Sequence, residues 1–192
     1  MSTAAATSVS PGRVLADLIP ASRVRDIALV LGGAALTGLA AQIALPVPGS
    51  PVPVTGQTFA ALLVGTTLGA SRGLASLVLY ALAGLAGVPW FAGGTSGVSV
   101  SFGYIIGMML ASAAVGALAR RGADRSVVRM AGTMLLGEAI IYAVGVPYLA
   151  YAAHMPLTAA IAAGLTPFLI GDALKAALAM GALPTTWKLL NR

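Results

Sequence analysis

Leu157 to Leu183 reads LTAAIAAGLTPFLIGDALKAALAMGAL, and its only charges are Asp172 and Lys175. A stretch this long and this apolar is a membrane-spanning helix. At three residues apart, the Asp and the Lys fall on one face of that helix. In a bilayer each charge costs roughly 2.5–3.5 kcal/mol on the insertion scale, and intramembrane charges usually mark a site of function. Two readings of the pair stand side by side. It is either a mutually satisfied ion pair that fixes helix packing, or the polar end of an apolar pocket. In the second reading Asp172 accepts N–H groups and Lys175 donates to a carbonyl or carboxylate.

The rest of the chain has the same character. Hydrophobic residues make up 58% and charged residues 8%, with a mean hydropathy of +0.94. Soluble domains carry about 25% charged residues. Ile27 to Ser71 and Gly73 to Ala119 contain no charge at all, and each run is long enough for two spans. The net charge of +6 does not indicate nucleic acid, because the basic residues form no patch with aromatics. There is no Cys, which excludes disulfides and thiolate chemistry. The basic and then apolar start resembles a signal sequence, but more membrane follows, so it is read as a first span.

Six spans are expected: 27–45, 56–70, 74–88, 102–119, 130–150 and 157–183. The fold class is an all-α membrane bundle with irregular outer loops. Residues 1–26 form a polar tail that lies along the membrane surface near its end, 27–185 the membrane domain and 186–192 a short tail. Pro46, Pro48, Pro51 and Pro53 exclude regular helix between spans 1 and 2. A turn is expected at Ser71-Arg72-Gly73. Gly87–Phe91 and Gly145–Leu149 both carry Val-Pro-aromatic and are read as the outer ends of spans 3 and 5.

Loop charge sets the orientation. Arg23, Arg25, Arg72, the four Arg of 120–129, Lys188 and Arg192 share one side, while loops 46–55, 89–101 and 151–156 have no Lys or Arg. Positive loops stay inside, so both termini are expected in the cytoplasm and the irregular loops outside. Irregular backbone is tolerated where it lines a cavity, which puts the site at the outer face.

Other candidates divide the same way. Glu138 is the remaining charge deep in a span; it either couples a proton or ion, or is held neutral or reaches Arg129. Lone His154 has no partner for a metal. Thr55 suits a helix N-cap, and Gln57 and Thr58 are either cap-proximal residues or a lid over ligand. Gly93–Gly97 lacks the Lys of a nucleotide loop. Ala28, Gly32, Ala34, Gly38, Ala40 and Ala44 form a small-residue stripe for packing or for a partner helix. No catalytic constellation is present, so no enzyme is expected.

Pro51–Phe59, Leu63–Gly73, Tyr80–Gly94, Gly103–Gly107 and Pro167–Lys175, in that order, resemble the BioY family, the biotin-specific S components of energy-coupling-factor (ECF) transporters. The resemblance spans about residues 27–185. It implies a six-helix protein of the cytoplasmic membrane that captures biotin from outside with high affinity. Its pocket would be built by helices 4 to 6 under the loops after helices 1 and 3. The substrate-binding set it implies is Thr55, Gln57, Trp90, Phe91, Gly93, Gly94, Tyr104, Asp172 and Lys175. Asp172 would take the ureido N–H groups, and Lys175 the ureido carbonyl or Asp172 itself. Trp90, Phe91 and Tyr104 would meet the apolar part, and Gln57 with loop amides the carboxylate. Some members carry an Asn where this chain has Ala92-Gly93-Gly94, and Phe102 is larger than the usual residue at the start of helix 4. The resemblance also implies no cofactor in this chain, with ATP used by partner ATPases and a membrane coupling subunit; self-association stays open. The stripe of span 1 is the expected docking face. Alternatives are an S component for thiamine or riboflavin, an intramembrane enzyme using Glu138 or Asp172, and a passive channel.

Overall fold

In a computed structural model that describes residues 12–190, Ser22 starts the first long helix. The first eleven residues and the terminal Asn191 and Arg192 lie outside the described residues. The Ser22 hydroxyl accepts the Arg25 N–H at 3.0 Å, and α1 runs Arg23–Ala41. It therefore begins earlier than the apolar stretch, because a cap and not the membrane boundary sets a helix start. The proline-rich connection is irregular as expected and closes on itself through two short antiparallel strands, β1 (Ala44–Leu45) and β2 (Val54–Thr55).

Helices α2 (Gln57–Leu68) and α3 (Ala70–Leu85) meet at one residue, Gly69. Its φ of +84° is open to glycine and strained for other residues, and it reverses the chain there. The expected turn at Ser71–Gly73 is instead the first turn of α3. α4 is Phe102–Arg120 and α5 is Val127–Ala152. α5 continues through Pro147, so the second Val-Pro-aromatic segment does not end its helix, unlike the first, where α3 stops at Leu85. Proline is tolerated inside membrane helices where neighbours satisfy the freed carbonyl. The expected single last span is two helices, α6 (Leu157–Gly164) and α7 (Leu169–Leu190), separated by a 3-10 turn at Thr166–Phe168.

Among the described residues, four helical segments are long and apolar enough to cross a membrane: α1, α4, α5 and the broken α6–α7 pair. α4 and α5 form the most extensive pairing and α2 packs on α4. Glycine lets these backbones approach. A Cβ on Gly107 would sit 2.8 Å from the Ile141 backbone, and one on Gly73 2.9 Å from Gly65 Cα. The small-residue stripe of α1 divides between two faces. Gly38 packs under Trp90 and Ala34 is buried, whereas Gly32 has open space around it.

At the arginine-bearing end, the described part of the N-terminal segment is packed into the protein. Val14 is fully buried. Asp17 pairs with Arg72 and, at 3.4 Å, with Arg120, while Arg125 donates to the Arg13 carbonyl at 3.1 Å. Trp187 Nε1 donates to the buried Asp124 at 2.6 Å and its ring lies under Arg125. Burial pushes the Asp124 pKa up, only partly offset by that indole bond.

Burial also opposes the charge of Asp17, but the Arg72 and Val14 hydrogen bonds and the Arg72 and Arg120 charges outweigh it and hold its carboxyl below the usual range. A depressed folded-state pKa contributes stability above the unfolded value and loses it as pH falls through the folded value. The strap is thus held at neutral pH and loosens in acid. Asp17→Asn is expected to raise the rate of tryptic cleavage after Arg13 and Arg23 several-fold at neutral pH. Unchanged cleavage would mean that Val14 burial alone holds the segment.

Candidate ligand-binding site

Pro167 cannot donate a backbone hydrogen bond, and Leu165 leaves helical geometry at φ −131° and ψ −57°. The break between α6 and α7 follows from these two residues. Its freed carbonyl is satisfied from inside: the Tyr104 hydroxyl on α4 donates to Gly164 O at 2.7 Å. The break restarts α7 at Leu169, which puts Asp172 in a first helical turn, where the helix dipole favours a negative charge.

Asp172 is buried and both of its oxygens are engaged. Tyr142 on α5 donates to Oδ2, and Lys175 Nζ donates to Oδ1 at 3.0 Å. Lys175 also donates to Thr58 Oγ1 on α2 at 2.8 Å. Four polar side chains from three helices therefore converge, and all four border one cavity. The cavity is about 50 Å³, enough for a few waters.

The opposite walls are mainly apolar. Val52 and Pro53 come from the proline-rich loop, Phe91 and Ala92 from the loop after α3, Ile105 and Met108 from α4, and Phe168 from the break. Thr55, Gln57, Ser99 and Ser101 ring the loop side. Thr55 Oγ1 also accepts the Gln57 N–H at 3.3 Å, so it supports the start of α2 as well as bordering the cavity. The result is a lined cleft with one charged, hydrogen-bonding end.

Of the nine residues anticipated, Thr55, Gln57, Phe91, Tyr104, Asp172 and Lys175 border the cavity. Trp90, Gly93 and Gly94 do not. The Trp90 indole donates to Tyr80 O at 3.0 Å, its ring covers Gly38, and its carbonyl accepts from Tyr80 and Gln42. It supports the loop from behind. Gly93 and Gly94 take φ of +66° and +77° and turn the chain between Phe91 and Thr95, which bridge each other. Phe102 packs 6.3 Å from the Phe91 ring and is not a cavity wall.

Tyr142, Met108 and Phe168 were not anticipated. Tyr142 was discoverable, since it lies one turn beyond Glu138 on the same helix face. Glu138 is itself buried, does not border the cavity, and makes no ion pair among the described residues, with Arg129 or otherwise. His154 is exposed in the α5–α6 turn at φ +52°, and the described residues contain no metal-ligating cluster.

This arrangement has counterparts. The model of the BioY family matches residues 9–192. The biotin transporter BioY2 of Lactococcus lactis is 31% identical over 160 residues, covering 82% of this chain and 87% of its own. A probable biotin transporter BioY of Pyrococcus horikoshii is 34% identical over 158 residues, covering 82% of this chain and 93% of its own. The crystal structure of the S-component for biotin from an ECF-type ABC transporter superposes with a TM-score of 0.77. That match covers 88% of this chain and 95% of the other at 22% identity, a likeness of fold.

Proposed function

The chain belongs to the BioY family, and from that premise we propose that it binds biotin in the cavity at Asp172 and Lys175 and serves its transport across the membrane. It is a multi-pass membrane transport component and not an enzyme. The carrying observation is the convergence of Asp172, Lys175, Thr58 and Tyr142 at one end of an otherwise apolar cleft.

Biotin has an edge of two N–H donors and one carbonyl acceptor on its ureido ring. Asp172 accepts the N–H groups and Lys175 donates to the carbonyl. Each charge-assisted hydrogen bond contributes about 1.5–3 kcal/mol when desolvated. Phe91, Ile105, Met108, Phe168 and Tyr104 meet the thioether ring and chain. Thr55, Gln57 and the loop at Ala92 take the carboxylate, and Trp90 holds Phe91 in place.

The helices make six passes, with α6 and α7 together forming the last. α2 and α3 are short for a pass, at about 18 Å and 24 Å. The arginine-bearing end faces the cytoplasm with both termini, and the cleft opens outward. Residues 27–185 form the transporting membrane domain of the cytoplasmic membrane, the described part of the N-terminal segment lies at its inner face, and α7 continues past residue 185 to Leu190. The chain uses no cofactor, and a coupling subunit with paired ATPases supplies energy through the inner face and the open side of α1. Gly32 is the clean probe of that face, since Gly38 is occupied by Trp90.

Calorimetric titration of biotin into the detergent-purified, ligand-stripped protein tests the reading. Stoichiometric binding with submicromolar Kd is expected. A folded protein that ignores biotin and binds thiamine or riboflavin would replace the ligand; one that binds none of them would reduce the kinship to fold.

A further inference from the structure

Lys175 carries its charge at the end of a flexible stem, as an ammonium with three N–H donors and no acceptor. Two of the three donors are fixed. Asp172, one turn back on α7, takes one on Oδ1 at 3.0 Å, and Thr58 on α2 takes another on Oγ1 at 2.8 Å. The third meets no acceptor among the described residues. The hydrogens of an ammonium are tetrahedral, so two fixed bonds set the direction of the third. Lys175, Asp172 and Thr58 all border the cleft. The remaining donor is therefore left for a group held there.

Asp172 alone could not aim it. A single contact from the same helix leaves the ammonium free to turn about that bond. Thr58 stops the rotation from a second helix, and its own oxygen is well held. Thr58 is β-branched and stiff at χ1. It follows Gln57, the first residue of α2, whose side chain is buried and whose N–H is accepted by Thr55. Thr55 is in turn paired with Ala44 between the two short strands. The start of α2 is thus tied down on the loop side, and Thr58 with it.

Resting on the biotin reading above, we propose that Thr58 is a positioning residue that aims the third N–H of Lys175 at the ureido oxygen, and so makes the site selective for a carbonyl acceptor at that point. Thr58 acts through Lys175 and needs no contact with the ligand. An aimed donor selects because of what a wrong ligand leaves behind. A ligand with a donor or an apolar group at that place strands a buried ammonium hydrogen, which costs more than a missing contact. The competing role for Thr58 is a tie between α2 and α7 that serves packing alone.

The test is Thr58→Val, which keeps the branched shape and removes the oxygen, beside Thr58→Ser, which keeps the oxygen. Two quantities are measured on each. One is the Kd for biotin by calorimetric titration. The other is the ureido carbonyl stretch of bound biotin, carbon-13-labelled at that carbonyl, by infrared difference spectroscopy at saturating ligand. Thr58→Val is expected to weaken biotin about tenfold, and Thr58→Ser to stay within about threefold of wild type. The carbonyl band should lie lower in the wild type and in Thr58→Ser than in Thr58→Val, because an aimed, charged donor weakens the C=O bond. A packing tie can change affinity but does not move that band. The same band position in wild type and Thr58→Val would therefore overturn the proposal even if affinity fell, and so would an unchanged Kd. Should Thr58→Val fold poorly, Thr58→Ala removes the same oxygen and is read the same way. A wild type that binds no biotin would sink the ligand assignment and this role with it, whereas a wild type that binds with an unshifted band sinks this role alone.

Discussion

Asp172→Asn is expected to weaken biotin binding by about 100- to 1,000-fold. Asn is isosteric and keeps one carbonyl acceptor, but it loses the charge and turns one acceptor into a donor aimed at a donor. The ligand N–H groups lose charge-assisted bonds of about 1.5–3 kcal/mol each. Lys175 loses its counter-charge and keeps only Thr58. Breaking one side of a buried pair costs about 3–5 kcal/mol, part of which falls on the empty protein and not on binding. The net effect on binding is therefore about 3–4 kcal/mol, which is the quoted range of affinity. The measurement is the Kd of a variant that elutes as a monodisperse species like the wild type. An affinity within about threefold of wild type would leave Asp172 as packing and return the pair to the scaffold.

The largest structural effect is expected from Gly107→Val on α4. A Cβ there would approach both Cα and O of Ile141 at 2.8 Å. Neither is the movable end of a side chain, so α4 and α5 must separate. Overpacking of this kind costs roughly 1–3 kcal/mol and more when backbone must move. The displaced helices carry Tyr104 and Met108 on one side of the cleft and Tyr142 on the other, so binding should fall along with stability. Gly32→Val on α1 is the matched control, since its Cβ meets nothing within 4 Å. In the isolated protein, thermal unfolding should drop by roughly 5–10 °C for the first variant and hardly move for the second. Equal shifts would contradict the α4–α5 packing.

The two glycines show where reading the chain by itself stops. Both are small residues in apolar helices, and spacing singles out Gly32 as much as Gly38. Only the packed neighbours separate an open position from one under Trp90 or against Ile141. Pro167 is a similar case. It is visible in the stretch Leu157–Leu183, and its missing donor is a local fact. Whether the helix bends or breaks there depended on Tyr104 being available to take the Gly164 carbonyl, sixty positions earlier in the chain. Trp90 and Phe91 are adjacent aromatics with equal claims on a ligand. Phe91 borders the cleft and Trp90 turns away because its indole N–H found the Tyr80 carbonyl.

What the chain determined alone is what depends on local composition. Long uncharged runs require a membrane, prolines exclude helix between α1 and α2, and a charge three residues from its opposite must share a helix face. Those statements need only the period of a helix and the cost of charge in lipid. Tertiary structure decided what depends on partners far away in the chain. Tyr142 and Thr58 joined the Asp172–Lys175 pair, Glu138 was left with an oxygen unpaired among the described residues, and the described part of the N-terminal segment was tied down by Arg72 and Arg120. In a bilayer a buried polar group must find its partner within the protein, and that partner is set by how helices cross, which no single segment encodes.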